Sequence, residues 1–365
     1  MVAAGLPVRL GPLELKNPIL TASGTFGYGL EFQDFVDLSK IGGICTKGLS
    51  LAPHAGNPPA RIWETPSGML NAIGLQNVGI EAFLDEKLPR LRELGVTVIA
   101  NVWGDLEEDY VTVVRALERA EGLAAVELNI SCPNVERGGM LFGNSPSATA
   151  SLVAKVRAAT RRPLIVKLSP NAPDLVESAR AARNGGADVL SLVNTFVGMA
   201  IDPETARPRL SFGTGGLSGP AIRPLAVRML KNAYGRFIND TYWLLAPWKI
   251  FDPGVHLAYD GEKPCPGGGT CDVLRLSFDN VGLTPKDKYW LWITRDGRKM
   301  VQWQYLLNGS TEEPTTASWK DWQSVGGIAL SMDKPIAGKP AEIKFENVSV
   351  TPTRDDALFK PGPTQ

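Results

Sequence analysis

The stretch from Val96 to Ser131, "VTVIANVWGDLEEDYVTVVRALERAEGLAAVELNIS", carries the fold in miniature. An apolar run ends at Asn101, an amphipathic segment from Leu106 to Ala120 follows, and a second apolar run ends at Asn129. That order reads as strand, helix, strand, the repeating unit of a parallel sheet. The same alternation extends from Pro18 to about Leu230. "PILTASG", "GICTKGLS", "PLIVKLSP" and "ADVLSLVNT" supply four more strands, with helices expected over Glu81 to Leu94, Ala148 to Thr160 and Ala172 to Asn184. The strands are nearly continuous in apolar residues, as strands covered on both faces are. We therefore expect an α/β fold, an incomplete TIM-type (β/α) barrel of about six parallel strands, where a closed barrel needs eight.

After Leu230 the period changes. "YWLLAPWKIF", "CDVLRLSFD", "KYWLWITR", "KMVQWQYLL", "SVGGIALSM" and "AEIKFENVSV" read as strands with no crossover helices between them, hence an antiparallel β-sheet domain. Seven of the nine tryptophans lie in this half. The division expected is 1–232 for the barrel portion, 233–352 for the β domain and 353–365 for a flexible tail.

Composition narrows the function. The 38 Lys and Arg balance the 38 Asp and Glu, so no basic surface points to nucleic acid or an anionic membrane. No apolar run is long enough to span a bilayer, and the start has no signal-like pattern, which makes a cytoplasmic location the expectation. Two histidines and four scattered cysteines build neither a zinc site nor a disulfide scaffold. Chemistry should then come from an organic cofactor or from Cys, Lys and Asn.

In a barrel the active site forms at the C-terminal strand ends. There the sequence places Ser23, Lys47, Asn101, Asn129, Lys167 and Asn194. Just past Asn129 stands Cys132, between Ser131 and Pro133, with Asn134 beyond. A free Cys is usually an inert buried thiol, but one at a barrel mouth serves as a base or a nucleophile. Asn71, Asn129, Asn134, Asn194 and Thr195 offer uncharged donors and acceptors for a flat pyrimidine-like ring. Lys167, on an apolar strand, is a costly interior charge unless it meets an anion, such as a reduced flavin ring.

The motifs "NISCPNVERGGMLFG", "TASGTFGYG", "TKGLS", "GMLNAIGLQN", "IANVWG", "IVKLSPN", "LVNTFVGM" and "GGLSGPAIRPLAVRML" together resemble the catalytic subunit of dihydroorotate dehydrogenases of the NAD-linked type B branch, over roughly residues 6 to 230. The resemblance implies an FMN-binding barrel that oxidises dihydroorotate to orotate in pyrimidine biosynthesis. It makes Cys132 the base that removes the C5 proton while hydride leaves C6. It also implies that Lys47, Asn71, Ala72, Ile73, Gly74, Leu75, Asn129, Asn134, Asn194 and Thr195 meet the substrate. Ser23, Lys47, Gly48, Asn101, Asn129, Lys167, Val193 and Gly219 would line the FMN, and an iron-sulfur and FAD electron-transfer subunit would be the partner. In that family the seventh and eighth strands hold the FMN phosphate, and nothing after Leu230 resembles them. The "GGGT" at Gly267 to Thr270 precedes a strand rather than a helix and reads as a turn. The neighbouring dihydrouridine synthases and dihydropyrimidine dehydrogenases match less well.

The second half resembles, less specifically, the half-barrel sheet of LolA-like lipoprotein carriers, on "YWLWITRDGRKMVQWQYLLNG", "WKDWQSVGGIAL" and "IKFENVSV". That resemblance implies a lipid or hydrophobic-ligand cradle, against which stands a plain aromatic core. A third expectation is a non-functional fusion of two unrelated fragments. Cys265 and Cys271 would pair only in an oxidising compartment.

Overall fold

The computed structural model describes residues 6–131, 139–279, 285–307, 310, 313–346 and 348–350. The chain divides into two compact units, Met1–Tyr234 and Gly235–Gln365. The expected tail, 353–365, lies outside the described residues.

The first unit is built on six parallel strands: β1 (Leu20–Thr21), β2 (Gly43–Cys45), β3 (Val98–Val102), β4 (Leu123–Asn129), β5 (Leu164–Lys167) and β6 (Val189–Ser191). They pair in sequence order, each with its neighbour, so the expected partial barrel of six strands is borne out. The helices between them are α1 (Leu88–Glu93), α2 (Glu107–Glu118), α3 (Gly139–Asn144), α4 (Pro146–Ala159) and α5 (Leu175–Asn184). A short helical turn at Gly79–Ala82 and a π-helical turn at Phe83–Lys87 lead into α1. Asp174 caps α5 by accepting the backbone N–H groups of Val176 (2.8 Å) and Glu177 (3.1 Å).

Alternation along these strands separates two environments. Val98, Ala100 and Val102 of β3, Val126 and Leu128 of β4, and Leu164 and Val166 of β5 pack against the helices in the main core. Cys45, Ile99, Ala125 and Ile165 point the other way. They form a second cluster with Leu13 and Leu15 of the N-terminal hairpin, which closes the bottom of the sheet. Above this apolar floor the interior turns polar, with Asn101 opposite Glu127 and Asn129 opposite Lys167.

The sheet is curled. A flat sheet would hold β5 and β1 four strand spacings, or about 19 Å, apart. Yet Lys167 Nζ on β5 donates to Ser23 Oγ, just beyond β1, at 2.9 Å. Over the same unit sits a four-stranded antiparallel sheet, in the order Phe196–Gly198, Gly215–Ser218, Gly68–Asn71, Ile62–Thr65.

One helix, α6 (Arg223–Lys249), corrects the expected strand "YWLLAPWKIF". It carries helix across Leu230, where the βα alternation was expected to end, and on to Lys249. Trp243, Ala246 and Ile250 are buried together, at the three- and four-residue spacing of a helical face rather than the alternation of a strand. A short apolar run with aromatics is readable either way, and packing decides it.

The second unit holds a five-stranded antiparallel meander, β7 (Val255–Pro264), β8 (Thr270–Phe278), β9 (Lys288–Thr294), β10 (Met300–Leu306) and β11 (Thr315–Ser318). A three-stranded sheet follows: Lys320–Val325, Ile328–Pro335 and Glu342–Lys344. The expected single strand "SVGGIALSM" is instead a hairpin turning at Gly326 and Gly327, both at positive φ (58° and 83°). "GGGT" is the turn between β7 and β8, with Gly267, Gly268 and Gly269 all at positive φ, closed by a Cys265–Cys271 disulfide. The aromatic face of the meander is packed as a core. Trp243 meets Trp303 at 4.4 Å between centroids, and Tyr289, Trp319, Ala246 and Ile250 fill in around them.

We expect Asp174→Ala to lower stability by about 1 kcal/mol, because two N–H groups of α5 lose their acceptor, and Asp174→Ser to keep most of it. Urea unfolding followed by circular dichroism measures the difference.

Candidate active site

The polar C-terminal ends of the strands gather as the barrel reading requires. Lys167 is buried, and its ammonium reaches Ser23 Oγ at 2.9 Å with no carboxylate within salt-bridge distance among the described residues. A buried cation favours an anionic partner. Asn194 Nδ2 donates to Asn129 Oδ1 (3.1 Å) and to Ser131 Oγ (2.8 Å). Ser131 Oγ in turn donates to the Lys167 carbonyl at 3.2 Å, and Tyr110 Oη to the Asn129 carbonyl at 2.9 Å. The end of β4 is thereby held from both sides. Cys132 and Asn134 lie outside the described residues.

Thr195 follows directly, its N–H donating to Asn194 Oδ1 at 2.8 Å. It leans on Gly216 so closely that a Cβ there would stand 2.1 Å from Thr195 Oγ1, and Asn71 Nδ2 donates to the Gly216 carbonyl at 3.3 Å. Only glycine lets Asn71 and Thr195 share that corner. The segment after Asn71 threads inward, with Ala72 fully buried, Ile73 accepting from the Asn57 N–H at 2.9 Å, and Gly74 at positive φ against Asn57. Leu75 comes beside Gly48, its Cδ2 3.5 Å from where a Gly48 Cβ would be.

Gly48 marks a small cradle. A side chain there would meet Asn101 Oδ1 at 3.0 Å and Trp103 Cδ1 at 3.1 Å. Asn101 Oδ1 and Trp103 Nε1 are both buried and make no hydrogen bond among the described residues. One acceptor and one donor are thus left unsatisfied around a position kept open by glycine, the pattern of a site for a ring with polar edges. A flavin fits that donor set, together with the uncompensated Lys167.

Lys47 sits at the mouth, its backbone N–H bonded to the Gly27 carbonyl at 2.8 Å. Its amine is pulled below the usual lysine value, first by burial and then by the nearby Arg61 guanidinium, with Glu31 opposing. Positive charge from both groups suits an anionic substrate. Val193 packs on the helix-side core, and Gly219 lies against Ser67 and Gly68 of the antiparallel sheet. Among the described residues no three His, Cys, Asp or Glu side chains gather to hold a metal ion, and no helix is long and apolar enough to cross a membrane.

Four residues of this site escape sequence reasoning. Arg61 is anchored on the carbonyls of Ala55 and Asn57 and on Gln76 Oε1. Asn171 bonds the Thr195 carbonyl at 3.0 Å and receives the Val197 N–H at 3.1 Å. Glu127 is buried and accepts from Asn101 Nδ2 at 2.7 Å and Cys45 Sγ at 3.1 Å. Asn171 and Glu127 had a signal, a polar residue inside or just past an otherwise apolar strand; Arg61 and Cys45 had none.

A parallel half-barrel with these strand-end amides and a buried lysine defines a flavin-type oxidoreductase site, and comparison with known proteins agrees. The family model for dihydroorotate dehydrogenase matches residues 6–241, and the chain belongs to that family. Among curated relatives, the dihydroorotate dehydrogenase B (NAD(+)) catalytic subunit of Geotalea daltonii is 57% identical over 230 residues, covering 63% of this chain and 75% of the relative. The subunit of the same name from Trichlorobacter lovleyi is 57% identical over 225 residues (62% and 74%), and that from Bacteroides thetaiotaomicron is 53% identical over 227 residues (62% and 75%).

Because folding lowers the Lys47 value, the charged amine is disfavoured in the native state. Its destabilising effect is present at neutral pH and is relieved as pH rises through the folded value toward the unfolded one. We expect amine acylation of Lys47, mapped by mass spectrometry against pH, to reach half-rate below the ordinary lysine value of about 10.4 and to move up in Arg61→Met.

Proposed function

We propose that this chain oxidises dihydroorotate to orotate in pyrimidine biosynthesis, with FMN as its bound flavin, as the catalytic subunit of an NAD-linked dihydroorotate dehydrogenase. The observation that carries this reading is the meeting of Lys167, Ser23, Asn129 and Asn194 at the strand ends, in a chain that belongs to the dihydroorotate dehydrogenase family.

In this reading Cys132 is the base that takes the C5 proton of dihydroorotate. FMN, when bound, supplies the acceptor for the hydride that leaves C6. Asn129, Asn194 and Thr195 hold the substrate ring by uncharged hydrogen bonds, with Asn134 and the segment Asn71, Ala72, Ile73, Gly74 and Leu75 completing its pocket. Lys47 offers a positive charge to the substrate carboxylate, supported by Arg61 beside it. Ser23, Lys47, Gly48, Asn101, Asn129, Lys167, Val193 and Gly219 are the flavin residues. Of these, Gly48 leaves the space, Asn101 presents an unsatisfied acceptor, and Lys167 brings a buried cation to a ring that becomes anionic on reduction.

The match leaves a quarter of the Geotalea relative's length without a counterpart in this chain, and we take the residues above to build the ring end of the flavin site. Flavin affinity is the sharpest test for that reason. The name "catalytic subunit" of the relatives supports a partner, which we take to be an iron-sulfur and FAD subunit passing electrons to NAD. We place the barrel activity, with its 1–232 segment, in the cytoplasm. The Cys265–Cys271 disulfide is the one observation favouring an oxidising compartment. For the C-terminal unit, 233–352, the LolA-like resemblance stays a proposal, and its filled aromatic core favours a structural role over a lipid cradle.

The test is the purified full chain, loaded with FMN and mixed anaerobically with dihydroorotate. We expect visible flavin bands that bleach on mixing; a chain that takes up no flavin, or whose flavin does not bleach, overturns the proposal. Cys132→Ala should keep the bands and slow bleaching by about 10²- to 10⁴-fold, the usual contribution of a general base. Gly48→Ala should weaken flavin uptake, since its methyl group would press on Asn101 and Trp103.

A further inference from the structure

We propose that Glu127 is a positioning residue, which turns the Asn101 side-chain amide so that its oxygen, not its nitrogen, faces the flavin. The inference rests on the flavin reading above and names a residue that reading does not use.

The argument begins with what each group is able to do. An ionised carboxylate only accepts hydrogen bonds, whereas an amide presents an acceptor on one side and donors on the other. Asn101 and Glu127 stand directly opposite on neighbouring parallel strands, and Asn101 Nδ2 donates to Glu127 Oε1 at 2.7 Å. That bond fixes the amide orientation. Oδ1 is then left on the far side, where it is buried, without a hydrogen-bond partner among the described residues, and 3.0 Å from where a Gly48 Cβ would stand.

Everything else about Asn101 is already held. Its N–H donates to Thr46 Oγ1 at 3.1 Å and its carbonyl accepts the Leu49 N–H at 2.8 Å. Rotation of the amide is the remaining freedom, and Glu127 removes it. Glu127 is itself pinned by the Cys45 thiol, which donates to the same oxygen at 3.1 Å. Burial, with the Glu127 charge adding to it, pushes that thiol well up, so Cys45 stays protonated and remains a donor. A carboxylate inside an apolar strand is expensive unless its hydrogen bonds are strong. A residue needed for packing alone would not require a charge here, and glutamine has nearly the same shape. The charge matters because it tells the amide which way to face.

The experiment compares the full chain with Glu127→Gln and with the exchanged pair Asn101→Asp/Glu127→Gln. In the single variant the glutamine amide offers either an oxygen or an N–H to Asn101, so the orientation is no longer dictated. We expect the FMN dissociation constant, read from quenching of flavin fluorescence, to rise roughly tenfold in Glu127→Gln, about the worth of one hydrogen bond. The melting temperature should stay close to that of the parent. In the exchanged pair the glutamine amide on β4 donates to the aspartate carboxylate on β3, whose other oxygen again faces the flavin, and most of the affinity should return. Flavin-free protein gives an independent readout: the Asn101 side-chain amide protons should resonate downfield in the parent and lose that shift in Glu127→Gln. Unchanged affinity in Glu127→Gln, or loss without recovery in the exchanged pair, overturns the inference. If the parent binds no FMN, the flavin reading falls and the proposed role of Glu127 falls with it. A retained amide shift would then show that the lock exists but serves no flavin.

Discussion

Successive side chains of a strand leave on opposite faces, and in-register parallel pairing lines those faces up from one strand to the next. In the first unit that constraint does most of the sorting. The residues at 98, 100 and 102 of β3, 126 and 128 of β4, and 164 and 166 of β5 meet helices, and nothing polar intrudes among them. The intervening positions build the interior in layers. Ile99, Ala125 and Ile165 rest on the N-terminal hairpin, and Asn101, Glu127, Asn129 and Lys167 lie above them. A slip of one residue in any of these three strands would exchange the two sets and turn polar or charged side chains against the helices.

The curl of the sheet then brings the polar layers face to face. Lys167 and Ser23 are 144 residues apart in the chain and four strands apart in the sheet, yet they share a hydrogen bond. The interior that results is rich in groups that are costly to bury: an ammonium with no salt bridge among the described residues, a carboxylate fed by an amide and a thiol, and an amide oxygen and an indole N–H with no hydrogen bond among the described residues. A core evolved for stability alone would avoid them. Their concentration at the C-terminal strand ends, over a dry apolar floor, is what sets this place apart from the rest of the unit.

Much of this was legible in advance. Six strands and the helices between them stood out because parallel strands covered on both sides are nearly continuous in apolar residues, and each run was closed by Gly or a polar residue. Ser23, Asn129, Lys167 and Asn194 were recognisable as strand endings, and the structure joins them. The reading failed where an apolar run was short and aromatic. Residues 242–251 suit a strand by composition, and only the joint burial of Trp243, Ala246 and Ile250 makes them helical. "SVGGIALSM" departs from a single strand for a different reason: its two glycines allow the positive φ on which the hairpin turns.

The kind of fold, the change of architecture after about Leu230, the family of the first part and the residue types at the mouth of the sheet are all readable from residue order. Local patterns suffice for these, since periodicity, turn residues and short motifs are properties of neighbouring positions. Tertiary structure alone decided which side chains meet. That Glu127 orients Asn101, that the Arg61 charge is felt at Lys47, and that Asn71 reaches Gly216, 145 residues on, where Thr195 also leans, all follow from pairing register and sheet curvature. Such contacts depend on the summed geometry of several strands, and no stretch of sequence contains that sum.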